Sequence, residues 1–304
     1  YRIIVRVTDE IGDQWREITP FDNPGPALAP RWTAEVGGAI HGAVVEHEGL
    51  VVAAGSTGTV AAFRPHGSLS GRQWSRSTGP VYSDPAFAPD GSLVYLPSSD
   101  HTVTALRSRD GREAWRTRLG APVIARVLAA EVDGDPRVVV AAGQELWCLD
   151  GVTGRVAWHR PLPELSAGRA ASNGQNVFFG CGDGGAWCVS GADGSEVWRT
   201  DLSDGHTGVQ DGPWITNILL PGQLAIFSTR NRTVGLDQAT GAQVWSLKGQ
   251  FLFCPPALAE DSLVLVDAGG TVKRVDAATG KVRWTAETAG STDNPGVLIQ
   301  GDRA

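Results

Sequence analysis

Three carboxylates alternate around a glycine in Glu131-Val-Asp133-Gly-Asp135, a spacing that can converge oxygen ligands on a hard cation such as Ca2+. Pro136 and Arg137 follow where a calcium loop would place more glycine and a further acid, so a solvated turn is the stronger reading. The remaining chemistry-bearing residues form no catalytic set. His101 after Asp100 brings no second group of ligands, and HExxH, GxSxG and glycine-rich phosphate loops are absent from the sequence. Cys148, Cys181, Cys188 and Cys254 make neither CxxC nor an adjacent pair, which excludes zinc and dithiol redox motifs. Cys181 and Cys188 flank a Gly-Asp-Gly-Gly turn; two small buried core residues are expected there in preference to a disulfide.

Bulk composition narrows the partners. The formal charge is −7, with the acids and bases spread along the chain and no basic block. Nucleic acid and anionic membrane surfaces need clustered Lys and Arg, so neither is expected to bind. No stretch is long and apolar enough to span a bilayer as a helix, and no signal peptide is present. The sequence opens on Tyr1 instead of Met, which predicts a processed chain or a piece of a longer one, most naturally in a bacterial, extracytoplasmic setting.

The elements that position these residues repeat. Tryptophans recur at Trp32, Trp74, Trp115, Trp158, Trp198, Trp245 and Trp284, with intervals of 42, 41, 43, 40, 47 and 39 residues. A period near 40 suits four short strands and their turns. Most of these tryptophans follow an acidic turn ending in glycine: Asp150–Gly154, Asp237–Gly241 and Asp276–Gly280, with Asp110-Gly111 and Asp193-Gly194 as shorter forms. There the Asp side chain accepts from backbone N–H groups two residues on, and the glycine takes a positive φ. Upstream lie pairs of β-branched runs such as Leu50–Ala54 with Thr59–Phe63, Val138–Ala142 with Leu146–Leu149, and Leu263–Val266 with Thr271–Val275. Each unit thus reads as strands A, B and C, a turn, and an outer strand D with the tryptophan. This predicts an all-β propeller of four-stranded antiparallel blades, seven by preference and six or eight as alternatives. Each of the seven tryptophans is expected to dock its blade on the next, burying ~150–250 Å².

Asp276-Ala-Ala-Thr-Gly-Lys-Val-Arg-Trp284 resembles the tryptophan-docking motif of the pyrroloquinoline-quinone-like propeller repeat. That family includes quinoprotein alcohol dehydrogenases and the propeller lipoprotein of the outer-membrane assembly machine. The resemblance covers residues 32–304 and implies fold more than activity. The family's enzymes carry an adjacent cysteine pair and a calcium-holding Glu/Asn/Asp set; without the pair, pyrroloquinoline quinone is disfavoured and no cofactor is expected.

The C-terminal run Asn294–Gly301 reads as a further strand A, which N-terminal strands, including the one bearing Trp32, would complete into a closing blade. Within residues 1–31, Tyr1–Trp15 alternates like a strand. It either joins that blade or ends a preceding immunoglobulin-like module, with Phe21–Pro30 as a linker. This combination resembles the region that follows calcineurin-like phosphoesterase domains.

If strands A to D alternate in direction, the D–A connections and B–C turns share one end. Those connections hold His41, Asp84, Arg126, Arg169, Asn217, Phe253 and Asn294, while His206 and Asp211 lie in the long Asp201–Pro213 connection behind the 47-residue interval. Arg126 and Arg169 could hold an anion through their planar forks, although a neighbouring acid such as Asp84 is the commoner partner. The reading predicts a non-catalytic, monomeric module of a larger chain or complex that presents this end to a protein, peptide or glycan. The alternatives are a substrate-positioning domain of an extracytoplasmic hydrolase or receptor-type kinase, and then a quinone-dependent dehydrogenase.

Overall fold

The computed structural model describes residues 32–66, 69–166, 168–205, 218–249 and 256–287. Among them there is no helix, and all the regular structure is β. Two compact units divide the chain, Tyr1–Ile124 and Ala125–Ala304.

The first unit holds two sheets: β1 (Val45–His47), β2 (Leu50–Ala54), β3 (Thr59–Phe63) and β4 (Arg72–Ser77), then β5 (Ala86–Phe87), β6 (Leu93–Ser98), β7 (Thr102–Arg107) and β8 (Glu113–Arg118). The second unit holds four. They are β9 (Leu128–Val132), β10 (Asp135–Ala142), β11 (Glu145–Asp150) and β12 (Val156–Pro161); then β13 (Ala171–Ser172), β14 (Asn176–Gly180), β15 (Gly185–Ser190) and β16 (Glu196–Asp201). Next come β17 (Ile218–Leu219), β18 (Leu224–Ser228), β19 (Arg232–Asp237) and β20 (Gln243–Lys248), and last β21 (Ala257–Ala259), β22 (Ser262–Val266), β23 (Thr271–Asp276) and β24 (Val282–Glu287). Every sheet is an antiparallel meander in chain order, so each supplies the expected strands A to D. The described residues thus hold six four-stranded sheets, one of the expected counts. Tyr1–Trp15 and Asn294–Gly301, the expected closing strands, lie outside the described residues.

The middle strands B and C bury most of their side chains, as in Val94, Tyr95 and Leu96 of β6; the exception is β23, where only Val275 is buried. Outer strands alternate instead, with a buried tryptophan among exposed neighbours. One register feature recurs in all six sheets. Ala62, Ala105, Cys148, Cys188, Gly235 and Arg274 on strand C pair directly with the tryptophans of strand D, and the register slips by one residue immediately afterwards. The slip is a β-bulge that gives strand D one extra residue and re-aims the side chain beside it. It turns the indole across its own cross-strand partner, which is small in five of the six sheets. At Gly235 a Cβ would stand 2.5 Å from Trp245 Cε2.

The indoles then reach the following sheet. Trp74 Nε1 donates to the Ser108 carbonyl at 2.7 Å, Trp158 to Gly191 at 2.8 Å, Trp198 to Gln238 at 2.8 Å and Trp245 to Ala277 at 3.1 Å. The floor beneath each ring is the turn glycine of that next sheet. A Cβ at Gly111, Gly194, Gly241 or Gly280 would come within 2.6 Å of the docked indole, and all four take φ between 68° and 72°. Two residues after the tryptophan, strand D adds a second tie to the same glycine. Arg76 donates to the Gly111 carbonyl, Arg160 to Gly194 and Thr200 to Gly241.

Two of the seven tryptophans depart from expectation. Trp284 is 41% exposed, whereas Trp74, Trp115, Trp158, Trp198 and Trp245 are 6–8% exposed. Its cross-strand partner is also the long Arg274 in place of a small residue. Trp32, expected on a strand, lies in none; it is half-buried with its ring 6.1 Å from that of Phe63. Residues 32–40 are held instead by single bonds, from Arg72 to the Glu35 carbonyl, from Thr57 to the Gly37 carbonyl and from the Ser56 N–H to the Ala39 carbonyl.

Candidate binding face

Backbone hydrogen bonds sort the connections into two ends. In the first unit, Val81 donates to Gly55, Ser99 to Pro80, Leu119 to His101 and Val123 to Ser98. In the second, Leu162 donates to Gln144, Gly182 to Leu165, Leu202 to Gly184 and Gly249 to Asn231. Each bond ties a residue leaving strand D, or in a D–A connection, to a B–C turn, so these loops do share an end. At the other end the C–D turns bind the A–B turns of their own sheets, as Ser108 does Ser92, Gly191 does Gln175 and Ala277 does Asp261.

The C–D end is built for rigidity. Asp237 Oδ1 accepts from the backbone N–H groups of Ala239 and Thr240 and from the Thr240 hydroxyl at 2.8 Å. The Thr240 hydroxyl and then the backbone bonds hold this carboxyl below the usual aspartate range. At Asp276 the Arg283 guanidinium is the larger cause, followed by Thr279. The Glu131–Asp135 turn also lies at this end, between β9 and β10. It is a two-residue hairpin turn with positive φ at Asp133 and Gly134, and the Asp135 carboxylate takes the Arg137 guanidinium at 2.8 Å. Among the described residues, no three or more His, Cys, Asp or Glu side chains cluster as a metal site.

The D–A end carries exposed side chains. In the first unit the rings of His41 and Tyr82 stand 5.3 Å apart on successive D–A connections, and Asp84 Oδ1 accepts from the Ala43 N–H at 2.7 Å. Tyr82 is 46% exposed and Ile124, on the next connection, 55% exposed. The pairs His41 and Tyr82, and Ala43 and Asp84, lie one repeat apart in sequence. In the second unit Arg169 is exposed and Arg126 half-buried, both on D–A connections. His206, Asp211, Asn217, Phe253 and Asn294 lie outside the described residues, as does Cys254.

Reading by motif passed over Tyr82 and a cluster around Trp187. Trp187 on β15 pairs with Arg199 on β16 and stacks on Phe179 at 5.9 Å, with the guanidinium carbons of Arg160 and Arg199 at 5.0 and 4.7 Å from its ring. Trp147 occupies the same place in the preceding sheet, stacked on its cross-strand neighbour His159 at 4.5 Å. The signal available in sequence was their 40-residue separation, the interval of the docking tryptophans. Cys148, Cys181 and Cys188 are free and buried, the latter two as expected, and burial pushes each thiol up to about 12.

The arrangement offers exposed aromatic, apolar and charged side chains on a hydrogen-bonded frame, the makings of a binding surface. Comparisons with known proteins agree with the fold. A family model described as outer membrane protein assembly factor BamB matches residues 28–125, 56–212 and 220–303. The crystal structure of BamB from Moraxella catarrhalis superposes with a TM-score of 0.71 over 83% of this chain and 76% of that one, at 16% sequence identity. No curated protein matches in sequence. The structural likeness shows a β-propeller fold, and with the family model covering most of its length the chain belongs to the pyrroloquinoline-quinone-like propeller family that this assembly factor represents.

Proposed function

We propose that this protein is a non-catalytic, extracytoplasmic scaffold that presents the D–A and B–C end of the sheets in its first unit to a protein partner. The observation that carries this reading is the exposed aromatic and apolar surface at the D–A end of the first unit. There Tyr82 and Ile124 stand out from the surface, with the Tyr82 ring beside that of His41. Aromatic and arginine side chains are enriched where proteins bind one another. Membership of a family represented by an assembly factor supports the same reading.

The test is position-specific photocrosslinking in cells that make the protein natively. A photoreactive residue at Tyr82 or Ile124 is expected to capture one discrete protein species. The same residue at Arg109, whose side chain is 76% exposed in a C–D turn of the same unit, is expected not to. Equal capture from both ends, or none from Tyr82 and Ile124, defeats the assignment.

A further inference from the structure

Asn173-Gly174 is the one Asn-Gly pair in the chain. It sits in the exposed A–B turn between β13 and β14, where Gly174 takes a φ of 92° and a Cβ on it would meet nothing within 4 Å. An asparagine ahead of glycine can react with its own backbone, because no side chain shields the next nitrogen from the amide carbon. Three hydrogen bonds in this turn act on the atoms that such a reaction uses. Asn173 Oδ1 accepts from the Gln175 N–H at 3.2 Å and from the Asn176 N–H at 2.8 Å. Paired backbone donors on a carbonyl oxygen stabilise the negative charge that gathers there when a nucleophile adds. The Gly174 N–H donates to Ser172 Oγ at 3.0 Å, which puts a proton acceptor on the attacking nitrogen.

We infer that Asn173 is a site of self-modification, converted to aspartate or isoaspartate within the folded turn. The Gly174 nitrogen bonds to Asn173 Cγ and gives up its proton by way of the Ser172 hydroxyl. The Cγ–Nδ2 bond breaks, and Nδ2 leaves with that proton as ammonia. Water then opens the cyclic imide at either carbonyl, leaving a carboxylate. In sum, an amide and water become a carboxylate and ammonium, and no other reactant is needed.

The turn is also a joint between sheets. The Gly174 carbonyl accepts from the Asp133 N–H of the preceding sheet at 2.7 Å, and Asn173 Nδ2 donates to Gln238 Oε1 of the following sheet at 2.9 Å. Gln238 in turn supplies the carbonyl that receives the Trp198 indole. Loss of Nδ2 removes the donor and sets a carboxylate against Gln238 Oε1, two acceptors with no proton between them. Conversion therefore cuts this tie between the two sheets. The inference goes beyond the protein-partner reading and stands on other residues.

The test ages the full chain at mildly alkaline pH, once folded and once unfolded in guanidinium chloride. Mass spectrometry of the tryptic peptide that carries Asn173 follows the conversion. The folded chain is expected to convert at least tenfold faster than the unfolded one. Ser172→Ala should slow the folded reaction about tenfold and leave the unfolded rate unaltered. A folded rate equal to or below the unfolded one overturns the proposal, and this comparison needs no variant that could fail to fold. An unaltered rate in folded Ser172→Ala overturns it too. Asn173→Asp, the product made directly, should melt several degrees below the parent chain; an equal melting temperature would overturn the loss of the tie. Crosslinking at Tyr82 and Ile124 does not read this turn, so either conclusion can fail alone.

Discussion

The indole of Trp198 rests on the α-carbon of Gly241, where a Cβ would come 2.6 Å from Trp198 Cδ2. Gly241 is therefore fixed twice, by its positive φ of 71° and by the ring above it. Gly222 shares the left-handed backbone, with φ 57°, but a Cβ there meets nothing within 4 Å. Comparing the two separates strain from collision. Gly222→Ala should cost ~1–2 kcal/mol, the left-handed penalty alone. Gly241→Ala adds displacement of a buried indole and should exceed it by a further ~1–3 kcal/mol. Urea denaturation of both variants gives the difference, and equal losses would show that the ring is not seated as described.

The outer-strand tryptophans should not be equivalent. Trp245 is buried and donates to the Ala277 carbonyl, so Trp245→Ala should cost ~3–5 kcal/mol. Trp284, far more exposed and paired with Arg274, should cost less than half as much. Thermal unfolding of the two variants checks this order, and a Trp284 variant as unstable as the Trp245 variant would contradict it.

The tryptophan period and the Asp–Gly turns were legible because they are local: each motif lies within nine residues, and its turn chemistry is its own. The buried B and C strands were legible as short β-branched runs for the same reason. What the sequence hid depends on register. That Ala62, Cys188 and Gly235 must be small follows only once strand C is paired with a bulged strand D, and Arg274 breaks the rule in the sheet whose tryptophan is exposed. The inner strands β5, β13 and β17 have two residues each, too few for any alternation to show. At the D–A end, His41 and Asp84 were legible by their place in the repeat. The cluster on Trp187 was not, because it brings Arg160 and Arg199 over one ring from two different sheets.

Thiol chemistry offers a test of the core. Burial raises Cys148, Cys181 and Cys188 to about 12, so at pH 8 they remain protonated and shielded. In a Cys254→Ser variant, which leaves these three, a disulfide reagent should titrate no thiol in the native state and three after denaturation. Rapid native labelling of even one would refute the burial assigned to these positions.

Acid should weaken the C–D turns. Hydrogen bonds hold Asp237 below the ordinary aspartate value in the folded chain, and backbone and side-chain bonds from Ser195 do the same for Asp193. A carboxyl with a depressed folded pKa stabilises the fold at pH values above its unfolded pKa, ~3.9 for Asp, and that stability is lost as pH falls through the lower folded value. Stability should therefore be level in these groups from pH 7 to about 5 and decline below about 4. Asp237→Asn retains an oxygen that can accept from Ala239 and Thr240 but cannot titrate, so the decline should be shallower in this variant. Melting temperatures measured from pH 7 down to 3 decide the point: an acid slope identical to that of the parent chain would mean that the turn carboxylates do not set it.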